Sequence, residues 1–380
     1  MFTKWNILEL SQNDISVQNA MKSNSMRKII FTLTIIHLFV SSAFSQEHYL
    51  KSYDFIQSML KNDNPLDFVS AVFATENAFY DGELNIDELN QELDFLIQIT
   101  NAISIPEIIT YNKKDNDIVK KHASLFNVLT DSVYLNIDSL HTLVHFPYTY
   151  DFDDPFGQTD WSSMFVSKLL ETGKGNCHSL PYLYKILADE LGLPCYIAFA
   201  PNHIYIKLFS EQTGWYNTEL TSATFPVDAW IMASGYITTD AIRNSLYMDT
   251  LSTKQTVANC LVDLAHGYQH KFGRENPDFV IKCCNTVLKY HPSNVNAMLT
   301  KAEAQKYYID LLMKNQNIKN PEELFADTAI KEMYSDMEQT YVHLHQSGYR
   351  RMPEKMYFEW INLLKNEPNI YINKNIQTVP

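Results

Sequence analysis

Three side chains that could together perform nucleophilic catalysis follow one another along this chain: Cys177, His203 and Glu219. Cys177 comes just before an amphipathic pattern that begins at Leu180 and stops at Gly192, which predicts a helix with the cysteine at its N-terminus. The unpaired N–H groups and the positive end of the dipole at that terminus favour the thiolate, which is the attacking form of cysteine. A nucleophile, a base and an acid in this order could form and resolve a thioester.

The base and the acid are predicted to meet on a β-hairpin. Alternating apolar residues indicate two strands, 203–209 and 215–220, joined by a turn. If the turn is centred on Glu211, His203 and Glu219 lie directly opposite each other, with their Cβ atoms roughly 4.5 to 5.5 Å apart. The carboxylate could then hold the imidazole and fix its tautomer.

A cysteine at a helix start, a histidine on a strand and an acid on the next strand also form the core of the transglutaminase-like superfamily, which this chain resembles over about residues 160–220. That superfamily has a papain-type fold. The stretches 74–80 and 89–97 resemble the lead-in of a bacterial subgroup. The resemblance implies an α+β fold with a helical N-terminal segment, a papain-like core containing a small antiparallel sheet, and an α-helical C-terminal region similar to tetratricopeptide repeats.

The resemblance also implies a role for each residue. Cys177 would be the nucleophile, His203 the general base and Glu219 the orienting acid. Because family members usually carry aspartate at the third position, Asn217 and Asp228 remain alternatives to Glu219. Neither a cofactor nor a metal ion is implied.

The expected activity is that of a cysteine hydrolase or acyltransferase acting on peptide amides. The Cys177 sulfur would attack the carbonyl, and water or an amine would resolve the thioester. The backbone N–H of Cys177 is the first candidate donor to the oxyanion, with Gln158 or Trp161 as the second. Because a fold does not guarantee turnover, the alternative is a catalytically degenerate core that serves as a protein-binding scaffold through its helical C-terminal region.

Composition narrows the class of protein. A chain of 380 residues with 46% hydrophobic residues and only 10 glycines indicates an ordered, mostly helical body of two or three domains. The formal net charge of −14 argues against nucleic acid as a partner. The five cysteines are an odd number, which in an exported chain leaves at least one thiol free, and Cys177 is the natural candidate.

The N-terminal sequence predicts export. A basic pair at 27–28 and the apolar run 29–40 are followed by small residues, which is typical of a secretory signal peptide over 26–45. Residues 1–25 are polar and unlike the start of a signal, which predicts a non-native upstream extension. The apolar run is too short to span a membrane, so the mature product is expected in the periplasm or the medium, without an integral span.

The rest of the chain divides by pattern into a helical segment over 46–145, the transglutaminase-like core over 146–250 and a helical region over 251–380. In the last region the spacing of Pro292 and Ala297 resembles the junction between two tetratricopeptide repeats. Such helices would offer a groove to a peptide or protein partner, or would buttress the core.

Two clusters with metal-ligand character have more ordinary interpretations. The acidic stretch 151–160 lacks the spacing and terminal glutamate of a calcium loop, which favours a solvated loop in which Asp160 caps the next helix. His266 and His270 lie four residues apart on a predicted helix, but the glutamate of a helix-borne zinc protease is missing. A packing role is therefore expected for both histidines.

Overall fold

A computed structural model of the chain describes residues 45–103, 111–136, 138 and 141–366. The predicted upstream extension and the signal peptide lie outside the described residues, except for Ser45. Ser45 begins the first helix, where its hydroxyl donates a hydrogen bond to Asp81. Residues 367–380 of the predicted C-terminal region also lie outside the described residues.

The described chain is a mixture of helices and small sheets, so the expected α+β class is confirmed. Its helices are α1 (45–60), α2 (Phe68–Phe79), α3 (Ile86–Ala102), α4 (Asn116–Thr130), α5 (Val166–Thr172), α6 (Ser179–Glu190), α7 (Asp228–Ser234), α8 (Thr239–Arg243), α9 (Thr253–Phe272), α10 (Asp278–Tyr290), α11 (Val295–Gln316), α12 (Thr328–Gln346) and α13 (Glu354–Asn366). Two 3-10 turns cover Trp161–Met164 and Pro321–Leu324.

The strands form three small sheets. The strands are β1 (Val133–Asn136), β2 (Thr142–His145), β3 (Thr149–Tyr150), β4 (Lys174–Gly175), β5 (Tyr196–Ala200), β6 (His203–Ser210) and β7 (Gly214–Thr218). β1 and β2 form an antiparallel hairpin, β3 and β4 pair in parallel, and β5, β6 and β7 form an antiparallel sheet in that order. The hairpin of β1 and β2 lies in a segment whose pattern predicted helix throughout.

The register of the β6–β7 hairpin differs from the prediction. Ser210 pairs with Gly214 and Lys207 with Asn217, so the turn is centred on Gln212 instead of Glu211. The physical reason is a three-residue loop that ends at Gly214, whose φ of 77° is a left-handed conformation that glycine adopts at little cost. The shift of one residue at the turn moves each residue's partner by two positions and therefore preserves which side chains share a face.

Within the region 251–380, which the pattern predicts to be helical, the stretch 321–346 is interrupted. The 3-10 turn at Pro321–Leu324 is followed by a break, and α12 begins only at Thr328. The Asp327 carboxylate accepts hydrogen bonds from the N–H groups of Ala329 and Ile330, which is a helix N-cap that competes with continuation of the turn.

Helix α6 lies at the centre of the core that positions the candidate site. Ten consecutive residues, 179–188, are buried in it. It contacts α3, α4 and α5 as well as strands β5 and β6. Beyond the sheet, α9, α10 and α11 each contact the next helix in sequence, and α9 also packs against α2. Within the described part of the chain, none of the helices combines the length and apolar character that crossing a membrane would require.

Candidate active site

Cys177 is held at the entrance to α6 by the residue before it. The Asn176 side-chain oxygen accepts hydrogen bonds from the N–H groups of His178 and Ser179, at 2.9 and 3.2 Å. The first helical hydrogen bond already runs from the Leu180 N–H to the Asn176 carbonyl, at 3.2 Å. Cys177 therefore lies in the first turn, where the positive end of the helix dipole favours a thiolate.

Close packing fixes the strand that leads into this turn. Gly175, the last residue of β4, approaches α5 and α6 so closely that a Cβ atom would lie 2.6 Å from the Ser179 hydroxyl oxygen and 2.8 Å from a Leu169 methyl carbon. A larger residue would push the strand, and the cysteine that follows it, away from the core. Close packing of the backbone at Gly175 therefore fixes the position of the Cys177 sulfur two residues later.

His203 and Glu219 form a buried pair. The imidazole Nε2–H donates to the Glu219 Oε2 at 2.5 Å, and both side chains are at most 1% exposed. The other carboxylate oxygen accepts hydrogen bonds from the N–H and the hydroxyl of Thr221, at 3.0 and 2.7 Å. Both oxygens of the acid are thereby satisfied, as a buried carboxylate requires.

The geometry of this pair is diagonal. In the observed register the residue directly across from His203 would be Thr221, and Glu219 lies just beyond the last residue of β7 on the same face. Diagonal neighbours are separated by about 7–8 Å, which only long side chains can bridge. The extra methylene of glutamate, compared with aspartate, supplies that reach.

Cys177 and His203 alter each other's proton affinity. Burial acts to raise the pKa of the Cys177 thiol, but the nearby His203 outweighs burial and lowers the pKa. Burial acts to lower the pKa of His203, but the charge of Glu219 and the interactions with Cys177 outweigh burial and raise the pKa. The arrangement favours a thiolate–imidazolium pair that Glu219 stabilises.

The two alternatives to Glu219, Asn217 and Asp228, lie elsewhere. The Asn217 Nδ2 donates to the Pro226 carbonyl at 2.9 Å and to the Asp228 carboxylate at 2.8 Å. Asp228 also faces Lys207 at 3.5 Å. Glu219, in contrast, contacts the His203 ring directly.

Cys177 and His203 line a cavity of about 260 Å³. Its apolar wall includes Val72, Phe156, Trp161, Met164 and Phe165. Polar groups from α2, α6 and α9 line the remaining wall, among them Glu76, His178, Asn259 and Asp263. A cavity with an apolar wall and a few convergent polar groups is the usual form of a small-molecule or side-chain site.

The candidate oxyanion donors occupy different positions. The Cys177 backbone N–H lies at the N-terminal end of α6, as expected from its sequence position. Trp161 lines the cavity, and its Nε1 is buried without a hydrogen-bond partner among the described residues. Gln158 is exposed and does not line the cavity, and its N–H donates to the Asp154 carboxylate at 2.7 Å.

A second buried pair, which sequence reasoning missed, lies beside the nucleophile. The His178 Nδ1–H donates to the Met164 carbonyl at 2.9 Å, and Nε2 lies 3.0 Å from the Asp263 carboxylate. Burial acts to lower the pKa of His178, but Asp263 outweighs burial and raises the pKa. The resulting positive charge also lowers the pKa of Cys177. The position of His178 next to Cys177 was a signal, but nothing in the sequence indicated Asp263 on α9 as its partner.

The candidate site is covered by α13. The Tyr357 hydroxyl donates a hydrogen bond to the Cys177 sulfur at 3.1 Å, and the Trp360 ring lies edge-on to the His203 ring with centroids 4.3 Å apart. The Tyr150 hydroxyl lies 3.3 Å from the Tyr357 hydroxyl. The sequence predicted this helix and its apolar spacing, but spacing alone does not indicate which surface a helix covers.

The remaining cysteines are buried and unpaired. Cys195, Cys260, Cys283 and Cys284 are each at most 3% exposed, and burial raises the pKa of every one of them. Cys177 is therefore distinguished by a pKa shift in the opposite direction.

The two clusters with metal-ligand character are held by protein contacts. The His266 Nε2 lies 2.7 Å from the Thr300 hydroxyl, and the His270 ring stacks on Trp161 with centroids 4.1 Å apart. Asp160 accepts a hydrogen bond from the Ser162 N–H at 3.0 Å and so caps the 3-10 turn.

Comparison with known proteins adds no assignment: no protein-family model, no curated protein and no solved structure matches this chain.

Proposed function

We propose that this protein is an exported cysteine hydrolase or acyltransferase that acts on peptide amides through a thioester on Cys177. The observation that carries the proposal is the convergence of Cys177, His203 and Glu219 in one buried cluster beside a cavity. A nucleophile beside a base, and a base oriented by an acid, is the arrangement that acyl transfer needs. The proposed fold of residues 146–250 is a papain-like, transglutaminase-like core.

Each side chain has a defined task in the proposed reaction. The Cys177 thiolate attacks the amide carbonyl, and its proton already resides on His203. His203 then protonates the leaving amine, while Glu219 holds the ring in place and balances its charge. Water, or a second amine, next attacks the thioester carbonyl with His203 as the base, and the Cys177 thiolate leaves.

The side-chain cavity gives the proposal a place for the substrate. An amide carbonyl above the Cys177 sulfur would have its flanking side chain directed toward the wall formed by Phe156, Trp161 and Met164. The positive end of α6 lies where negative charge would develop on the carbonyl oxygen. An apolar side chain on the acyl portion of the substrate fits this wall best.

The scaffold alternative is favoured by one observation. Cys177 is only 5% exposed, and its sulfur accepts a hydrogen bond from Tyr357. A core that no longer turns over could remain covered permanently. The chain of packed helices α9 to α12 would then supply the surface for a protein partner.

An acylation experiment separates the two functions. The protein is incubated with a p-nitrophenyl ester of an N-acylated apolar amino acid, and the adduct is measured by intact mass and assigned by peptide mapping. In protein whose Cys177 is accessible to iodoacetamide, we expect an adduct on Cys177 that hydroxylamine removes, and none in the Cys177→Ser and His203→Ala variants. Absence of a Cys177 adduct in protein whose Cys177 reacts freely with iodoacetamide would support the scaffold instead.

A further inference from the structure

A short segment, residues 349–353, joins the covering helix α13 to the preceding part of the described chain, which we call the body. Residues 349–353 are neither helix nor strand, and within them Arg350 and Arg351 are adjacent and exposed. Met352, the next residue, is only 4% exposed. A pair of exposed basic residues outside helix and strand can be cut by a protease of trypsin-like specificity.

The chain is anchored just before this pair. The Thr238 hydroxyl donates to the Gly348 carbonyl at 2.8 Å, and the Asn244 side chain donates to the Ser347 carbonyl at 3.3 Å. These contacts fix the C-terminal end of α12 to the region around α8. A cut after Arg350 or Arg351 would therefore leave the body anchored and separate only the segment that carries α13.

The segment on the C-terminal side of the pair contains the cover. Tyr357 is fully buried and Trp360 is 2% exposed, and Tyr357 also packs on Phe156, with centroids 4.7 Å apart. Because Tyr357 gives its single hydroxyl proton to Cys177, Tyr150 must donate to the Tyr357 oxygen. A phenol oxygen at 3.1 Å from the sulfur occupies the space that a substrate carbonyl needs.

The cover is held well enough to block the site, but not irreversibly. Burial of the Tyr357 and Trp360 rings stabilises the covered state. Against this, the Trp360 Nε1–H is buried without a hydrogen-bond partner among the described residues, which weakens the cover. While the chain is intact, α13 binds as part of the same molecule at an effective concentration in the millimolar range. A cut removes that advantage, and the severed segment is lost on dilution.

We propose that α13 is an intramolecular inhibitor and that the pair Arg350–Arg351 is the processing site whose cleavage by a basic-specific protease uncovers Cys177. This inference rests on the proposed function, because it assumes a nucleophile that has to be kept from substrate. In the cleavage step, water adds across the peptide bond, so that the body retains a carboxylate on the arginine and the released segment begins with a free amine.

The test is limited trypsin digestion of the folded full-length chain, followed by dilution and timed alkylation with iodoacetamide. Intact mass locates the cut, and peptide mass spectrometry assigns each alkylated cysteine. The matched control is the double variant Arg350→Gln and Arg351→Gln. We expect cleavage at the pair in the wild type alone, and an alkylation rate at Cys177 that rises about tenfold or more. The four other cysteines should stay unreactive.

Three results would overturn the proposal. The first is that trypsin does not cut at the pair. The second is that Cys177 stays as slow to react after the cut as before it. The third is that all five cysteines react together, which would make α13 a structural part of the fold instead of a removable cover.

A variant that needs no protease provides an independent check. Trp360→Ala in the uncut chain removes the ring from His203, and we expect faster alkylation of Cys177 with the four other cysteines still protected. An unchanged rate would contradict the role of α13. Alkylation requires only an accessible thiol, so the cover can be confirmed even if the ester experiment finds no acyl transfer.

Discussion

Glu219 hydrogen-bonds His203 at 2.5 Å from a diagonal position on the β6–β7 hairpin. The shift in the turn leaves the two residues on one face but moves them apart along the strands. A glutamate bridges that distance and an aspartate would fall short. The identity of the acid and the register of the hairpin are therefore matched to each other.

We predict that Glu219→Asp and Glu219→Gln both raise the pKa of Cys177. The first variant loses the contact through length and the second through charge, and in both His203 is left without the carboxylate that stabilises its protonated form. A hydrogen bond to a charged group contributes about 1.5–3 kcal/mol, and its loss makes the imidazolium beside the thiolate less stable. The measurement is the ultraviolet absorbance of the thiolate against pH.

The control for the Glu219 variants is Asp228→Asn, which changes one of the two residues that the sequence offered as alternatives to Glu219. Asp228 contacts Asn217 and Lys207 but not the imidazole, so the titration of Cys177 should be unchanged. A larger effect from Asp228 than from Glu219 would show that the assignment of the acid is mistaken.

We predict that Asn176→Ala lowers the free energy of unfolding by about 1–2 kcal/mol and also raises the pKa of Cys177. The variant removes the acceptor for the N–H groups of His178 and Ser179, which frays the turn that holds the sulfur. The matched control is Asn294→Ala, since Asn294 is an equally buried asparagine cap, on α11. Asn294→Ala should lower the free energy of unfolding in urea by a similar amount and leave the pKa of Cys177 unchanged. If both variants changed that pKa equally, Asn176 would not have the positioning role.

We predict that the contribution of Glu76 to the free energy of unfolding falls as the pH rises from about 4.5 to 7. Burial raises the pKa of this carboxyl to about 7, although it accepts hydrogen bonds from the Val166 and Ser167 N–H groups. Between the unfolded and folded pKa values the native state binds more protons, so raising the pH favours unfolding.

The measurement for Glu76 is urea unfolding at a series of pH values in the wild type and in Glu76→Gln. The difference in the free energy of unfolding between the two proteins should change by an amount on the order of 3 kcal/mol between pH 4.5 and 7. The variant should become more stable relative to the wild type as the pH rises. A constant difference would mean that Glu76 has an ordinary pKa in the folded chain.

Local pattern predicted most of the elements. The apolar spacing from Leu180 gave α6, the alternation around Tyr205 gave β6, and most other predicted helices agree with the structure within a few residues. The short strands β1 to β4 were missed, because strands of two to four residues carry too little periodicity. The turn is centred on Gln212, one residue beyond the predicted Glu211, because Gly214 adopts the left-handed conformation that ends the loop.

The parts of the site that the sequence predicted are formed by elements that follow one another along the chain. Cys177, His203 and Glu219 lie within one stretch of helix and hairpin, so their meeting could be inferred from order and spacing. Asp263 and Tyr357 come from distant helices, and the direction in which a helix turns its apolar face toward a surface is decided by tertiary packing. The role of α13 as a cover could not be predicted for that reason.

The most direct test of the central claim is the pH titration of the Cys177 thiolate. The ultraviolet difference spectrum between the wild type and Cys177→Ser reports the thiolate without requiring access for a reagent, and His203→Ala shows whether the histidine is responsible. We predict a transition well below the free-cysteine value of about 8.5 in the wild type, shifted to or above that value in His203→Ala. A transition at or above that value in both proteins would contradict the activated pair, and with it the proposed chemistry.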